Sequence, residues 1–262
     1  MNSQYWIKRQ SLAFDETFAV THDLYAESYR KAMRLILEDV SSLYDEILKE
    51  SANGEIKIND LYRYNRFFAI KNRINKRLQE LGARQIEITD NKLLEMYYRT
   101  QELVDDSLSL TFSSDSLENA KAVVNEIWCA DGKSWSQRIW KQMDALQQAL
   151  SEGIFNCVAT GQSKDKLVAQ LQRNFSVSFS NADRITRTEL THVQNKGAAE
   201  RLKAHGIKEY KYLATDDGRT DDECANLNGK VFSFDVAAVG INFPPMHPAC
   251  RCCIIPVVGG KK

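Results

Sequence analysis

The chain has 262 residues, with 35 Lys and Arg against 35 Asp and Glu, and 43% of it is hydrophobic. Its four prolines (Pro244, Pro245, Pro248 and Pro256) all fall in the last nineteen residues, leaving a run of 243 without one. Long helices tolerate such a run, whereas sandwiches, barrels and proline-rich linkers rarely show it, so an all-β fold and a disordered chain are both excluded.

Length allows one or two domains with a real core. Residues 1–130 hold 17 basic and 21 acidic side chains and residues 131–262 hold 18 and 14, a split too even for wholesale nucleic-acid binding. Lys8 and Arg9 are followed by a stretch broken by Asp15 and Glu16, not by the apolar segment of a secretory signal. The uncharged run from Val236 to Cys250 is too short and proline-rich to span a bilayer. The chain therefore reads as a protein made in a cytoplasm, with no membrane span.

From Leu12 to Leu48 the apolar positions Phe18, Tyr25, Tyr29, Met33, Ile36, Val40, Leu43 and Ile47 recur at helical spacing and predict one long helix, ended by Asn53-Gly54. A second helix is predicted over Asn59 to Leu81, with Leu61, Tyr64, Phe67, Phe68, Ile74, Leu78 and Leu81 inward and Gly82 as its stop. Further stripes run through Leu94, Tyr97, Tyr98, Val104 and Leu108, and from Ala120 to Trp128. Asp131-Gly132 marks a turn, and Ser134 with Gln137 opens a helix carrying Trp135, Ile139, Met143, Leu146 and Leu150. Ser163 starts another helix, and Ser180 with Asp183 starts a last one that stops at Gly206. After it come three short strands, at Tyr210 to Ala214, Val231 to Phe234 and Cys253 to Val258, with a turn at Asp216-Asp217-Gly218-Arg219 and a short helical stretch before Asn228-Gly229. The fold class is mainly α: a long N-terminal helical body (1–130), then a region (131–262) ending in a small C-terminal α+β module.

Arg63 to Arg84 holds seven basic residues (Arg63, Arg66, Lys71, Arg73, Lys76, Arg77 and Arg84) against one acid, Glu80. One reading is a face for non-specific contact with DNA phosphates or an acidic partner; the other is a solvated face balanced by acids on a neighbouring helix.

Cys129 and Cys157 stand alone in apolar surroundings, as small core residues do. Cys224, Cys250, Cys252 and Cys253 cluster in the last forty residues. Cys224, His247, Cys250 and Cys252 make a candidate tetrahedral set of three thiolates and one imidazole for a structural zinc. The alternatives are reduced buried cysteines beside a hydrogen-bonded histidine, and a disulfide between two of them. None of His22, His192, His205 or His247 is followed by Glu at the second position, so a zinc deaminase is excluded, and neither a P-loop nor a dinucleotide fingerprint occurs.

Thr186-Arg187-Thr188-Glu189, then Asp217-Gly218-Arg219-Thr220 with Cys224 and Leu227-Asn228-Gly229, then Pro-Pro-Met-His-Pro-Ala-Cys-Arg-Cys from Pro244, resemble the Mu F-like phage head morphogenesis (minor head protein) family from about Trp135 to Val258. The opening Tyr5-Trp6-Ile7-Lys8-Arg9, followed by long helices, is similar to minor capsid proteins of phages and prophages of Gram-positive bacteria. The resemblance implies a low-copy virion component, made in the bacterial host and acting at the portal and inner head. Its partners would be the portal protein and capsid components, in head assembly and in DNA packaging or ejection. It places Arg187, Glu189, Asp217 and Arg219 on family motifs, where structural roles are expected, and Cys224 at a ligand position, with Cys253 leaving the fourth ligand open. Some relatives carry a toxin or enzyme domain after this module; the chain ends at Lys262, and the expectation is assembly without catalysis. The runner-up is a cysteine- or zinc-dependent hydrolase acting in head maturation or DNA entry.

Overall fold

The computed structural model describes residues 3–50, 56–111, 113–215 and 217–257. Helix α1 spans Ser3–Glu50 and α2 spans Ile58–Tyr62; a 3-10 turn over Arg63–Asn65 leads into α3, Arg66–Ser107. Then come α4 (Leu117–Val124), α5 (Trp135–Ala159) and α6 (Lys164–Ala204). Strand β1 (Glu209–Leu213), helix α7 (Asp222–Leu227), β2 (Val231–Ser233) and β3 (Cys253–Pro256) complete the chain. The mainly helical class and the terminal module are as the sequence predicts. Among the described residues, no helix is long and apolar enough to cross a membrane. Asn53-Gly54, Asp216 and Val258 lie outside the described residues.

Two compact units form from discontinuous pieces, because α1, α3 and α6 each contribute to both. One unit comprises Asp23–Ile88 and Ser136–Asp183. Its core gathers the α1 stripe (Tyr25, Tyr29, Ile36, Val40, Ile47) with Ile74 and Leu78 of α3, Leu150 and Ile154 of α5, and Leu167 and Leu171 of α6. Burying each such side chain contributes roughly 1.5–3 kcal/mol.

Two helix boundaries differ from the expectation, both for tertiary reasons. Gly82 does not stop a helix, for α3 runs through it. A Cβ there would lie 2.5 Å from Cζ3 of Trp140 and 3.0 Å from Cγ of Met143, so the glycine makes room for a ring of α5. Ser180 and Asp183 likewise sit inside α6, not at its start. The second predicted helix is instead divided by a kink at Tyr64 and Asn65, whose φ angles are 55° and 56°. That turn throws Tyr64 out to 77% exposure and leaves Phe68 59% exposed, where both were expected inward.

The basic run turns out largely balanced by acids of the same unit. Arg66 pairs with Glu50, Arg63 lies 4.0 Å from it, Arg73 and Arg77 lie 3.9 and 3.7 Å from Asp39, and Arg84 bonds Glu87 at 2.8 Å.

The other unit comprises Met1–His22, Thr89–Trp135 and Arg184–Lys262. Its antiparallel sheet has the order β2-β1-β3, with Tyr210 opposite Phe232 and Tyr212 opposite Ile254. Trp6, Val104, Ala198, Leu202, Tyr210 and Ile254 share one core there. Beside it Asp105, fully buried, receives Arg201 Nε at 2.7 Å and lies 2.8 Å from His205 Nε2. Burial works against that charge, yet these bonds hold the carboxyl below its usual range.

Candidate metal centre

The second half of α6 is the platform on which the His/Cys loop is laid. Thr188, Thr191 and Asn195 recur every three to four residues and so share one face of the helix. Thr188 Oγ1 accepts from the Ala249 amide at 2.9 Å, and Thr191 Oγ1 donates to the Cys250 carbonyl at 2.6 Å. Asn195 donates to the Cys252 carbonyl at 3.1 Å and accepts from the Ile254 amide at 2.9 Å. β3 is an edge strand, and the carbonyl of Ile254 is covered too, by Nε2 of Gln10 at 3.2 Å. Three polar residues of one helix thus fix the backbone on either side of the cysteines. Sequence reading named Thr188 only as part of a motif and passed over Thr191 and Asn195; the spacing of hydroxyl and amide side chains on a helix just before a Cys-rich loop was the available signal for their role.

From the other side the loop is held by Arg251, whose guanidinium meets both oxygens of Asp217 at 2.6 Å. The Arg251 pair, helped by the Arg219 amide at 3.0 Å, pulls the Asp217 carboxyl well below the usual carboxylate range. Arg219 itself is 79% exposed, with its guanidinium 3.5 Å from Asp217. Helix α7 presents Cys224 and is capped by Asp221, which accepts from the Glu223 amide at 3.1 Å.

Cys224, His247 and Cys250 come together, their donor atoms within 4.8 Å of one another. Sγ of Cys224 lies 3.3 Å from Nε2 of His247 and 3.9 Å from Sγ of Cys250. A tetrahedral zinc with ordinary bond lengths places two thiolates about 3.8 Å apart and a thiolate and an imidazole nitrogen about 3.6 Å apart, close to both distances from Cys224. Nδ1 of His247 is 3.0 Å from the Pro248 carbonyl, and donating there leaves Nε2 with its lone pair toward the cysteines. The Tyr212 hydroxyl donates to Cys224 at 3.4 Å. Cys224 and Cys250 are 1% and 0% exposed, whereas His247 is half-buried.

The thiols divide the charge unequally. Hydrogen bonding from Cys252, with the amides of Met246 and Cys252, brings Cys250 down to about 5; burial pushes Cys224 up, and the Cys250 neighbour pushes Cys252 up. Cys252 shares the apolar cluster of Tyr212, Cys224 and Cys250 but stays outside the three-donor set. Cys253 points into the separate core of Trp6 and Phe234, where burial raises its thiol to about 12.

The remaining motif residues anchor other segments. Arg187 lies 4.0 Å over the ring of Phe18, and Glu189, 3% exposed, accepts from the Trp128 indole at 2.9 Å. Trp128 also stacks on buried His192 at 4.5 Å.

This platform and the His/Cys loop lie in a stretch that is similar to a class of phage protein. Residues 144–255 match the family model described as phage Mu protein F like protein, and over this segment the chain is similar to that family. The chain is also similar to the NAD(+)--arginine ADP-ribosyltransferase EFV of Enterococcus faecalis (strain ATCC 700802 / V583), 26% identical over 274 residues. That match takes in 99% of this chain and 51% of the relative, so the chain spans about half the length of the protein it matches. No solved structure matches.

Proposed function

We propose that the protein is a phage or prophage head morphogenesis protein, a low-copy virion component working at the portal and inner head during assembly and the packaging or ejection of DNA. The observation that carries this reading is the Mu F-like match over residues 144–255, which takes in α6, the sheet and the His/Cys loop together. In this reading the Cys/His centre is structural: a zinc held by Cys224, His247 and Cys250, with Cys252 the nearest further thiol, would lock α7 to the loop and add folding energy that a sheet of three short strands lacks.

The same reading makes the chain a non-enzyme. Cys250 has the low thiol pKa of a nucleophile, but it is fully buried and its backbone is clamped by Thr191, which favours a ligand over the hydrolase alternative. What the chain shares with the ADP-ribosyltransferase is then the assembly module, the transfer activity being that protein's own. Mass spectrometry of purified particles and proheads tests the assignment: the protein should be present in few copies and should co-purify with the portal protein on co-expression. Absence from both particle types, or transfer from NAD(+) to arginine by the isolated chain, overturns it.

A further inference from the structure

A second site lies at the start of α3, in the unit built from Asp23–Ile88 and Ser136–Asp183, and is independent of the head-assembly reading. At Tyr64 the backbone takes φ 55°, a region that bulky residues rarely adopt, and this puts the ring on the surface. The ring is also held there. Arg66 sets its guanidinium 5.2 Å from the ring centroid, and Arg66 is fixed in turn by Glu50 and by the Asp60 carbonyl at 3.3 Å. One face of Tyr64 thus rests on an anchored cation while 77% of the residue stays exposed. Phe68, 59% exposed, is supported likewise: its ring makes an edge-type pair with half-buried Phe67 at 6.3 Å, and Phe67 meets the Phe155 ring at 6.1 Å.

The helix continues the same surface. Phe68, Asn72, Asn75 and Gln79 recur every three or four residues and share one exposed face, with Lys71 on one flank of it and Lys76 on the other. Among the described residues, none of these five polar side chains meets a hydrogen-bond or ion-pair partner. No acid occurs in the sequence between Arg63 and Gln79. The available cations are therefore not the ones that the basic run as a whole suggests: Arg66, Arg77 and Arg84 are matched to acids, whereas Lys71 and Lys76 are not. Rings with an open face take planar bases, amides meet the donors and acceptors of base edges, and unmatched lysines meet phosphates. A duplex hides its base faces in its own stack, so the combination fits a strand whose bases are unpaired.

We propose that this face binds single-stranded nucleic acid, one base stacking on Tyr64 and a neighbouring base on Phe68, with the backbone phosphates drawn to Lys71 and Lys76. The strand supplies the planar partners that the two rings lack and the negative charge that this face of α3 does not contain.

Fluorescence anisotropy of the full chain at low salt tests this with labelled oligothymidylate and oligouridylate of about 12 nucleotides, an abasic strand and a duplex of the same length. At least one of the two base-bearing strands should bind saturably, and the abasic strand and the duplex at least about tenfold more weakly. Tighter binding of oligouridylate identifies RNA as the source, tighter binding of oligothymidylate DNA, and equal binding a strand of either sugar. Tyr64→Gly, which suits the positive φ and so removes the ring without unfolding the turn, should weaken binding about tenfold, as should Phe68→Ala. Tyr64→Trp should retain it. Val177→Ala removes an equally exposed apolar side chain from α6 and should leave binding unaltered. Added salt should weaken binding, and Lys71→Ala with Lys76→Ala should flatten that dependence. No binding of either base-bearing strand, equal binding of the abasic strand or the duplex, or unaltered affinity when Tyr64→Gly and Phe68→Ala are combined overturns the proposal.

Discussion

Asn195 is the side chain on which the platform most depends, and replacing it by leucine tests the description of the loop. The amide is fully buried; it donates to the carbonyls of Cys252 and Thr191 and accepts from the amide of Ile254. Leucine has the same branching and the same number of side-chain heavy atoms and is the bulkier of the two, so no cavity forms. The Thr191 carbonyl retains its place in the helix ladder, whereas the Cys252 carbonyl and Ile254 amide lie on the side of β3 away from β1 and lose their partner. Each buried backbone group left unpaired costs about 1–3 kcal/mol, so the expected loss is about 3 kcal/mol. Urea unfolding in the presence of chelator measures it without a metal contribution, and amide exchange at Ile254 reports the same bond locally. A loss below about 1 kcal/mol with Ile254 still protected would refute the idea that α6 side chains, and not the sheet alone, hold this edge.

Cys224→Ser should remove bound zinc, which elemental analysis of protein purified without chelator should put at about one per wild-type chain; a metal-free, stably folded wild-type sample would disprove the metal assignment. Gly82→Leu should cost about 2–3 kcal/mol in thermal or urea unfolding, because the Trp140 ring occupies the space beside that backbone; unchanged stability would mean the helices separate freely there. Stability should fall on acidification below about pH 6.5, because His192 is buried and neutral, its pKa lowered by desolvation, while the unfolded chain takes up the proton. Glu126 adds to this at lower pH: held by His192 and then Lys196 down to about 2, it contributes stability that is present above its unfolded pKa and lost as pH falls through the folded one. His192→Phe keeps a ring against Trp128 and should flatten the dependence just below pH 6.5; an unaltered profile would assign the acid sensitivity elsewhere.

The elements that sequence reading placed well are those whose signal is carried by the residues themselves. The α1 stripe is legible because Tyr25, Ile36, Val40 and Ile47 are apolar at helical intervals and are buried in consequence. Cys224, His247 and Cys250 were legible because few residue types ligate a soft cation. What was not legible depends on partners distant in the chain. Gly82 reads locally as a stop, and only the Trp140 ring, 58 positions on, explains why a glycine stands mid-helix. The kink at Tyr64 and Asn65 occurs at neither a glycine nor a proline, so nothing in the local sequence announces that Tyr64 and Phe68 leave the inward face. Thr188, Thr191 and Asn195 bond backbone groups 57 to 61 residues away, and a carbonyl or amide has no residue identity to recognise.

The Arg-Thr-Glu motif illustrates why a short contiguous signature can serve a structure without containing a site. Successive residues on an α-helix point about 100° apart, so Arg187, Thr188 and Glu189 cannot converge on one ligand. They reach instead toward three separate segments: Arg187 to the Phe18 ring on α1, Thr188 to the Ala249 amide in the His/Cys loop, and Glu189 to the Trp128 indole between α4 and α5. One turn of α6 thereby sets the positions of three parts of this unit at once. Substituting Arg187 or Glu189 should therefore loosen its own neighbour while leaving zinc content intact, whereas Thr188→Val, which deprives the Ala249 amide of its acceptor beside Cys250, should weaken metal retention. A set of variants in which all three lost metal equally would mean that the motif acts through the stability of the helix as a whole.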